Sequence, residues 1–284
     1  MSTTPPPVKD TSQESDLLVP FESRNIPDEY REYYKTKRSN FFSCIQRFSG
    51  MWKYYISLDQ IWYRDFEIMK PACDVEQMFP LLLYHNAHAK IRISIELAFS
   101  GCMAEARSIM RDAVECVAHA HAMLGDAKLQ KIWLRKNDDK KALEAFKDAF
   151  ERHKKEGIFK GLNELHESWG QLSEIGSHAT INAICERCVI VKSDKHVEFR
   201  LNYSGGIEER SWALSLFSLL LTCFTMEQTL YGDYQSRLQF DETLIRMRGN
   251  FERNKEQLRE FMKVHYKIKP PSSILVPRPT IYRP

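Results

Sequence analysis

The chain has 284 residues, enough for one large domain or for a smaller domain with appendages. With 43% hydrophobic and 12% aromatic residues, it can bury a sizeable core. Its 41 basic and 38 acidic side chains leave a net charge of +3. The composition therefore excludes a strong electrostatic field and supports at most a weak preference for acidic partners.

The seven cysteines do not suit a disulfide scaffold in a chain of this length. Six of them, including Cys102, Cys116 and Cys223, lie in or beside apolar helical patterns, as reduced cysteines do in a cytosolic protein. Residues 1–24 lack the apolar segment of a secretory signal, and we expect them to form a disordered lead-in. We therefore expect a cytoplasmic protein.

Helical periodicity dominates residues 25–266, which we expect to form a single helical-bundle domain. Asn25 is the expected cap of a first helix, because Pro27 and two acidic residues follow it. This aromatic-rich helix extends to about residue 70, either unbroken or divided at Ser49-Gly50. Further helices are expected at about residues 75–100, 103–124, 127–135, 139–155, 162–175, 208–235 and 241–266.

The periodicity changes between residues 188 and 203. Apolar and polar side chains alternate strictly over residues 196–203, which is typical of a half-buried strand, and residues 188–192 can pair with it. The predicted fold class is therefore all-α, a multi-helix bundle with one small β-hairpin insertion at about residues 188–203. Residues 267–284 are rich in proline and are expected to form an extended tail.

Residues 211–226 contain no charged side chain. The segment is shorter than the roughly 20 residues that a membrane span needs, and serines and threonines interrupt it. A buried core helix is the favoured interpretation, with a transmembrane helix as the alternative, and we expect no membrane partner.

The helix predicted at 75–100 is apolar almost all round except for one thin polar stripe. At 100° per residue, His85, His88, Arg92 and Glu96 fall on one line. A helix that is apolar on every side belongs in a protein interior, where unpaired charges are unfavourable. The stripe is therefore either a buried ion-pair network or a functional site.

A second polar row follows on the next helix, where Arg107, Arg111, Glu115 and His119 are spaced four residues apart. Flanking polar residues widen this row to nearly half the helix, which favours a solvated face. Antiparallel packing could instead bring Arg111 and Glu115 against the first stripe. Separate structural roles are the favoured interpretation.

Metal binding has little support in the sequence. Carboxylate-bridged di-metal bundles use Glu-x-x-His pairs, which neither polar row contains. Cys185 and Cys188, with His178 and His196 nearby, could form a tetrahedral zinc site, but a single Cys-x-x-Cys pair is a weak signal. We predict no metal and no cofactor. The chain also lacks the nucleophile, Walker and dinucleotide motifs.

One part of the chain resembles a known group. An Arg- and Glu-rich helix at residues 105–115 is followed by a turn that contains Leu172, Ser173 and His178. This arrangement is similar to that of uncharacterised bacterial helical proteins placed near HEPN-like bundles and abortive-infection proteins. The resemblance covers about residues 75–235.

This resemblance implies that Arg111, Glu115 and His178 converge inside the bundle. HEPN ribonucleases act through an Arg followed four to six residues later by a His, and that spacing is absent at these positions. An Arg and a His with this spacing occur on the last helix, at Arg259 and His265, where the surrounding charges indicate a solvated face.

Two functions remain open. The slightly favoured one is a non-enzymatic binding or assembly module, in which the His/Arg/Glu network is structural and the Pro-rich tail or the aromatic first helix contacts a protein partner or a second copy. The alternative is a HEPN-like, metal-independent ribonuclease or phage-defence effector that binds RNA. Its candidate catalytic residues are His178 or His88 for proton transfer, Arg92 and Arg111 for phosphate, and Glu96 and Glu115 as orienting partners.

Overall fold

The computed structural model describes residues 26–70, 75–176, 188–192, 197–201, 209–235 and 241–267. Within these residues the predicted all-α helical bundle is confirmed. The lead-in, Asn25 and the tail beyond Lys267 lie outside the described residues. The α-helices are α1 (Asp28–Arg47), α2 (Ser49–Met69), α3 (Val75–Phe99), α4 (Met103–Leu124), α5 (Ala127–Leu134), α6 (Lys140–Phe146), α7 (Asn163–Gly176), α8 (Glu209–Tyr234) and α9 (Glu242–Tyr266).

Two strands lie between α7 and α8. They are β1 (Cys188–Lys192) and β2 (Val197–Leu201), which pair antiparallel as a two-stranded sheet. Their register places Cys188 opposite Leu201 and Lys192 opposite Val197.

The first helical segment is divided at Phe48, one residue before the predicted break. Phe48 leaves the helical conformation (φ −111°, ψ 42°), yet its N–H donates to the Cys44 carbonyl at 2.8 Å. Its carbonyl accepts from the Trp52 N–H at 3.0 Å. Because both backbone groups are satisfied and the ring is buried, the chain turns here without leaving a polar group unpaired.

Helices α3 and α4 form the most extensive helix pair. Gly101 joins them with a φ of +92°, a left-handed conformation that favours glycine. The Cys102 N–H then donates back to the Leu97 carbonyl at 2.8 Å, which closes the end of α3. Helix α8 packs against α4, α2, α7 and α3, and α9 packs against α2.

The uncharged segment, residues 211–226, forms 16 of the 26 residues of α8. Among the described residues, α8 is the one helix long and apolar enough to cross a membrane, and 67% of that apolar stretch is buried inside the bundle.

One predicted helix is interrupted. The segment 139–155 forms α6 only as far as Phe146, and a π-helix at Lys147–Glu151 and a series of turns follow. The wider π turn leaves Phe146 and Phe150 both buried, with ring centroids 5.0 Å apart. The 3.6-residue periodicity of the sequence does not predict such a turn, because the turn depends on which aromatic rings the neighbouring helix accommodates.

The environments of α3 and α4 are the reverse of the expected ones. Every residue of α4 is buried or half-buried, including Arg107, which is 3% exposed and donates to Ser215 Oγ at 2.8 Å. The solvated face predicted for α4 is therefore wrong. In contrast, α3 exposes Leu82 (55%) and Ile93 (49%) beside its polar stripe. The reason is that α4 has neighbours on several sides, in α3, α7 and α8.

Candidate functional site

Two side chains of the α3 stripe converge on one carboxylate, Asp59 of α2. His88 Nε2 lies 2.7 Å from Asp59 Oδ1. Arg92 donates from Nε to Oδ1 at 2.7 Å and from its terminal nitrogen to Oδ2 at 2.9 Å. The four-residue spacing of His88 and Arg92 places both on the face of α3 that meets α2. The result is a bidentate ion pair with a histidine on the same acceptor.

Burial and hydrogen bonding set the protonation of this group. Burial would raise the pKa of Asp59, but the hydrogen bonds from His88 and Arg92 outweigh it and hold the pKa at about 2. The His88 ring stacks on Trp62, with centroids 5.3 Å apart and planes 8° apart. Burial lowers the pKa of His88, against the opposing effect of Asp59. His88 is therefore neutral near pH 7, and its Nε2–H donates to an ionised Asp59.

The rest of the stripe lies at the surface. His85 is exposed, and its ring packs edge-to-face with that of Phe66, with ring centroids 5.4 Å apart. The side chain of Glu96 is 57% exposed and pairs with Lys37 of α1 at 3.1 Å. The side chain of Arg92 is 52% exposed. The predicted buried network is thus wrong for His85, Arg92 and Glu96, because the stripe follows the edge where α1 and α2 flank α3; only His88 is buried.

The second candidate pair, Arg111 and Glu115, belongs to another group of contacts. Glu115 Oε1 accepts from Arg111 at 3.2 Å, from Lys154 at 2.8 Å and from the Trp169 indole N–H at 2.8 Å. Burial would raise the pKa of Glu115, but the Lys154 hydrogen bond and charge outweigh it, so the pKa is lowered. Arg111 also donates to Ser173 Oγ at 2.8 Å. These contacts join α4, α7 and the turn before α7.

Trp169 of α7 organises this second group. The Lys154 ammonium lies 4.7 Å and the Arg111 guanidinium 5.3 Å from its ring centroid, within the range of cation–π attraction. His119, the last residue of the α4 row, packs against Phe150, with ring centroids 5.1 Å apart. Burial lowers the pKa of His119 to about 4. The group is thus a packed junction in which one carboxylate balances two cations.

The predicted catalytic residues that the structure describes therefore do not form one site. His88 and Arg92 contact α2, Glu96 contacts α1, and Arg111 and Glu115 contact α7. Arg111 and Glu115 are close because they lie four residues apart on α4, which does not test the expectation from the resemblance. His178, the third residue of that expectation, lies outside the described residues.

Sequence reasoning missed the carboxylates that organise these contacts. Asp59 was not singled out, nor was Asp65, which lies beside Glu227 of α8 in the core. Asp233 of α8 was also missed; it accepts from the Tyr84 hydroxyl and lies 2.8 Å from His121 Nδ1. Each is a carboxylate within an apolar helical segment, and that signal could have identified them.

Metal binding finds no support among the described residues, where no group of three or more His, Cys, Asp or Glu side chains is arranged to hold an ion. The zinc candidates Cys185, His178 and His196 lie outside the described residues, and Cys188 begins β1.

No family model matches the chain, and no curated protein and no solved structure matches it either. The resemblance to HEPN-like bundles therefore stays a prediction.

Proposed function

We propose that this protein is an assembly module whose first helix pairs with the first helix of a second copy. The observation that carries the proposal is the exposure of α1. This helix has 20 residues, of which Cys44 alone is buried among those described. Helices of this length in proteins are normally stabilised by burying one apolar face, so α1 has surface left for a partner.

The exposed aromatic residues of α1 form one ridge. Tyr30, Tyr34 and Phe42 are 61%, 58% and 57% exposed, and they recur at multiples of four residues. Arg38 fills the remaining position of the ridge, and its guanidinium lies 5.8 Å from the Phe42 ring centroid. Ridges with four-residue spacing are the surfaces by which helices most commonly interdigitate.

This ridge is complementary to itself. An antiparallel two-fold pairing centred near residue 36, with the helices inclined so that the two ridges run side by side, places Tyr30 beside Phe42 of the second copy and Tyr34 beside Arg38. The first contact is aromatic on aromatic, and the second is a cation over a ring. A two-fold axis repeats each contact, so four favourable pairs come from one surface.

The charges of α1 favour a protein over a nucleic acid. Of its five basic residues, four are already paired with carboxylates. Binding along a nucleic acid backbone needs a row of cations free to contact phosphates, and α1 does not offer such a row. The pairs are Arg31–Asp28, Lys35–Glu32, Lys37–Glu96 and Arg47–Glu209.

The ribonuclease alternative has less support. His88 is 5% exposed and uses Nε2 on Asp59, and Arg111 is balanced by Glu115. Arg92, although half exposed, is held by the same Asp59. A general acid and a phosphate-binding cation in these environments would first have to break internal ion pairs.

Sedimentation velocity over a range of protein concentrations tests the assembly proposal. We expect the wild type to dimerise and Tyr34→Ser to remain monomeric. Tyr63→Ser is the matched control, because Tyr63 is also 58% exposed but lies on α2. A monomeric wild type at every concentration would refute the proposal, as would equal effects of the two substitutions. RNA cleavage by the wild type, lost in Arg111→Ala, would favour the ribonuclease instead.

A further inference from the structure

A cleft of about 600 Å³ opens where the end of α4, the start of α7 and the C-terminal half of α8 meet. Its described walls include His121 of α4, Glu164 of α7, and Thr225, Thr229 and Asp233 of α8. This volume lies within the range of small-molecule sites. The cleft is formed by different helices from the α1 ridge, so it is independent of the assembly proposal.

The carboxylate of Asp233 is held in place by two side chains. The buried Tyr84 hydroxyl donates to one of its oxygens, and His121 Nδ1 lies 2.8 Å from the other. The hydrogen bond to Asp233, partly opposed by burial, raises the pKa of His121. These two contacts hold the carboxylate and the imidazole in place, and each carboxylate oxygen keeps a second lone pair.

The α8 wall presents hydrogen-bond acceptors. Thr225 Oγ1 donates to the Leu221 carbonyl at 3.2 Å, and Thr229 Oγ1 donates to the Thr225 carbonyl at 2.9 Å. Because each hydroxyl hydrogen is used within the helix, each hydroxyl oxygen can only accept from a ligand. A ligand that donates hydrogen bonds therefore fits this wall better than one that accepts them.

The charge of the lining is also negative. Asp233 and Glu164 are carboxylates, and the described lining contains no Lys or Arg, although the whole chain has 41. Glu164 lies in the first turn of α7, where it offsets the positive end of the helix dipole. Lys160 lines an adjoining depression of about 450 Å³ that shares His121. His121, whose pKa is raised by Asp233, balances the charge of that carboxylate, so Glu164 gives the lining its net negative charge and a cation would meet acceptors.

We propose that this cleft binds a small organic amine in its ammonium form. Glu164 supplies the counter-charge, and the remaining lone pairs of Asp233 and the hydroxyl oxygens of Thr225 and Thr229 accept the ammonium hydrogens. Carboxylates and neutral oxygens around one cavity are the partners that an ammonium group requires when it leaves water.

Isothermal titration of the full chain with 1,4-diaminobutane tests the proposal, with 1,4-butanediol as the uncharged analogue and inorganic phosphate as the anion. We expect saturable binding of the diamine alone. Glu164→Gln should weaken it roughly threefold to fivefold, the size expected for one exposed ion pair. Glu167→Gln is the matched control, because Glu167 is also exposed on α7 but does not line the cleft.

Three outcomes would overturn the proposal: no saturable binding of the diamine, equal weakening by the two glutamate substitutions, or binding of butanediol or phosphate as tight as that of the diamine. Asp233→Asn adds a second measurement and should abolish binding. Because Asp233 also accepts from the buried Tyr84 hydroxyl, thermal unfolding of the Asp233→Asn variant must be recorded as well. If that variant does not fold, the comparison of Glu164→Gln with Glu167→Gln decides the test.

Discussion

The carboxyl groups of Asp65 on α2 and Glu227 on α8 face each other in the core, where the two residues are 0% and 1% exposed. Arg248 of α9 pairs with Glu227, but within the described residues no donor reaches the oxygens of Asp65. Burial, and then the charge of Glu227, raises the pKa of Asp65 well above its ordinary value. Burial also raises the pKa of Glu227. Asp65 therefore keeps its proton above the ordinary pKa of an aspartate and donates it to Glu227, which also accepts from Arg248.

This retained proton predicts a loss of stability as the pH rises. The unfolded chain releases the proton near the ordinary Asp pKa of 3.8, whereas the folded pair keeps it. The free energy of unfolding should therefore fall from that pH up to the folded pKa, by about 1.4 kcal/mol for each pH unit. Asp65→Asn supplies a permanent N–H donor of the same shape and should flatten the profile, as measured by urea unfolding at a series of pH values.

Asp138→Asn is the control for this experiment, because Asp138 forms an exposed pair with Arg135 and should leave the profile unchanged. If Asp65→Asn were less stable than the wild type by the same amount at every pH, the carboxyl pair would not be the group that titrates.

The Asp59 group predicts unequal effects for its members. Asp59→Ala leaves the buried His88 N–H without an acceptor, so we expect a loss of about 2–3 kcal/mol in the free energy of unfolding. Arg92→Ala should cost less than about 1 kcal/mol, because the guanidinium is half exposed. Guanidinium chloride unfolding measures both, and Glu96→Ala, at an exposed ion pair, serves as the control.

The low pKa of Asp59 also predicts that the protein loses stability in acid. With a pKa of about 2, Asp59 stabilises the fold fully above its ordinary pKa of 3.8, and this stabilisation is lost as the pH falls from 3.8 towards 2. Asp59→Ala should reduce that acid-induced loss. Equal destabilisation by Arg92→Ala and Asp59→Ala would contradict the view that the buried histidine is what depends on Asp59.

Removing the half-buried carboxylate of Glu115 should destabilise the protein more than removing an exposed carboxylate that has similar partners. Glu115→Ala leaves two cations on one indole ring and should destabilise the protein by about 2–3 kcal/mol. Glu144 also accepts from a lysine and an arginine but is exposed, so Glu144→Ala should change stability little. Thermal unfolding gives the comparison, and a shift in Trp169 fluorescence should accompany Glu115→Ala alone. Matching effects would show that burial of Glu115 is unimportant.

Local patterns were sufficient to place most helices. The Gly101 and Gly125-Asp126 stops predicted the ends of α3 and α4, because caps and turns act within a few residues of the chain. The pairing of Arg111 with Glu115 also followed from their spacing of four residues. The π turn after Phe146 did not follow from any spacing, since it depends on the packing of Phe146 and Phe150 beside α4.

The sequence by itself determined the fold class, most helix boundaries and the rows of polar side chains, because helix periodicity and capping depend on neighbours three or four residues away. Only the tertiary structure decided which helix is central and which carboxylate each polar row meets. Arg92 lies at the surface and Arg107 in the core although both belong to polar rows. Asp59 is 29 residues from His88, and Asp233 is 112 residues from His121. Burial and pairing across such separations depend on how whole helices pack, and no local pattern encodes that.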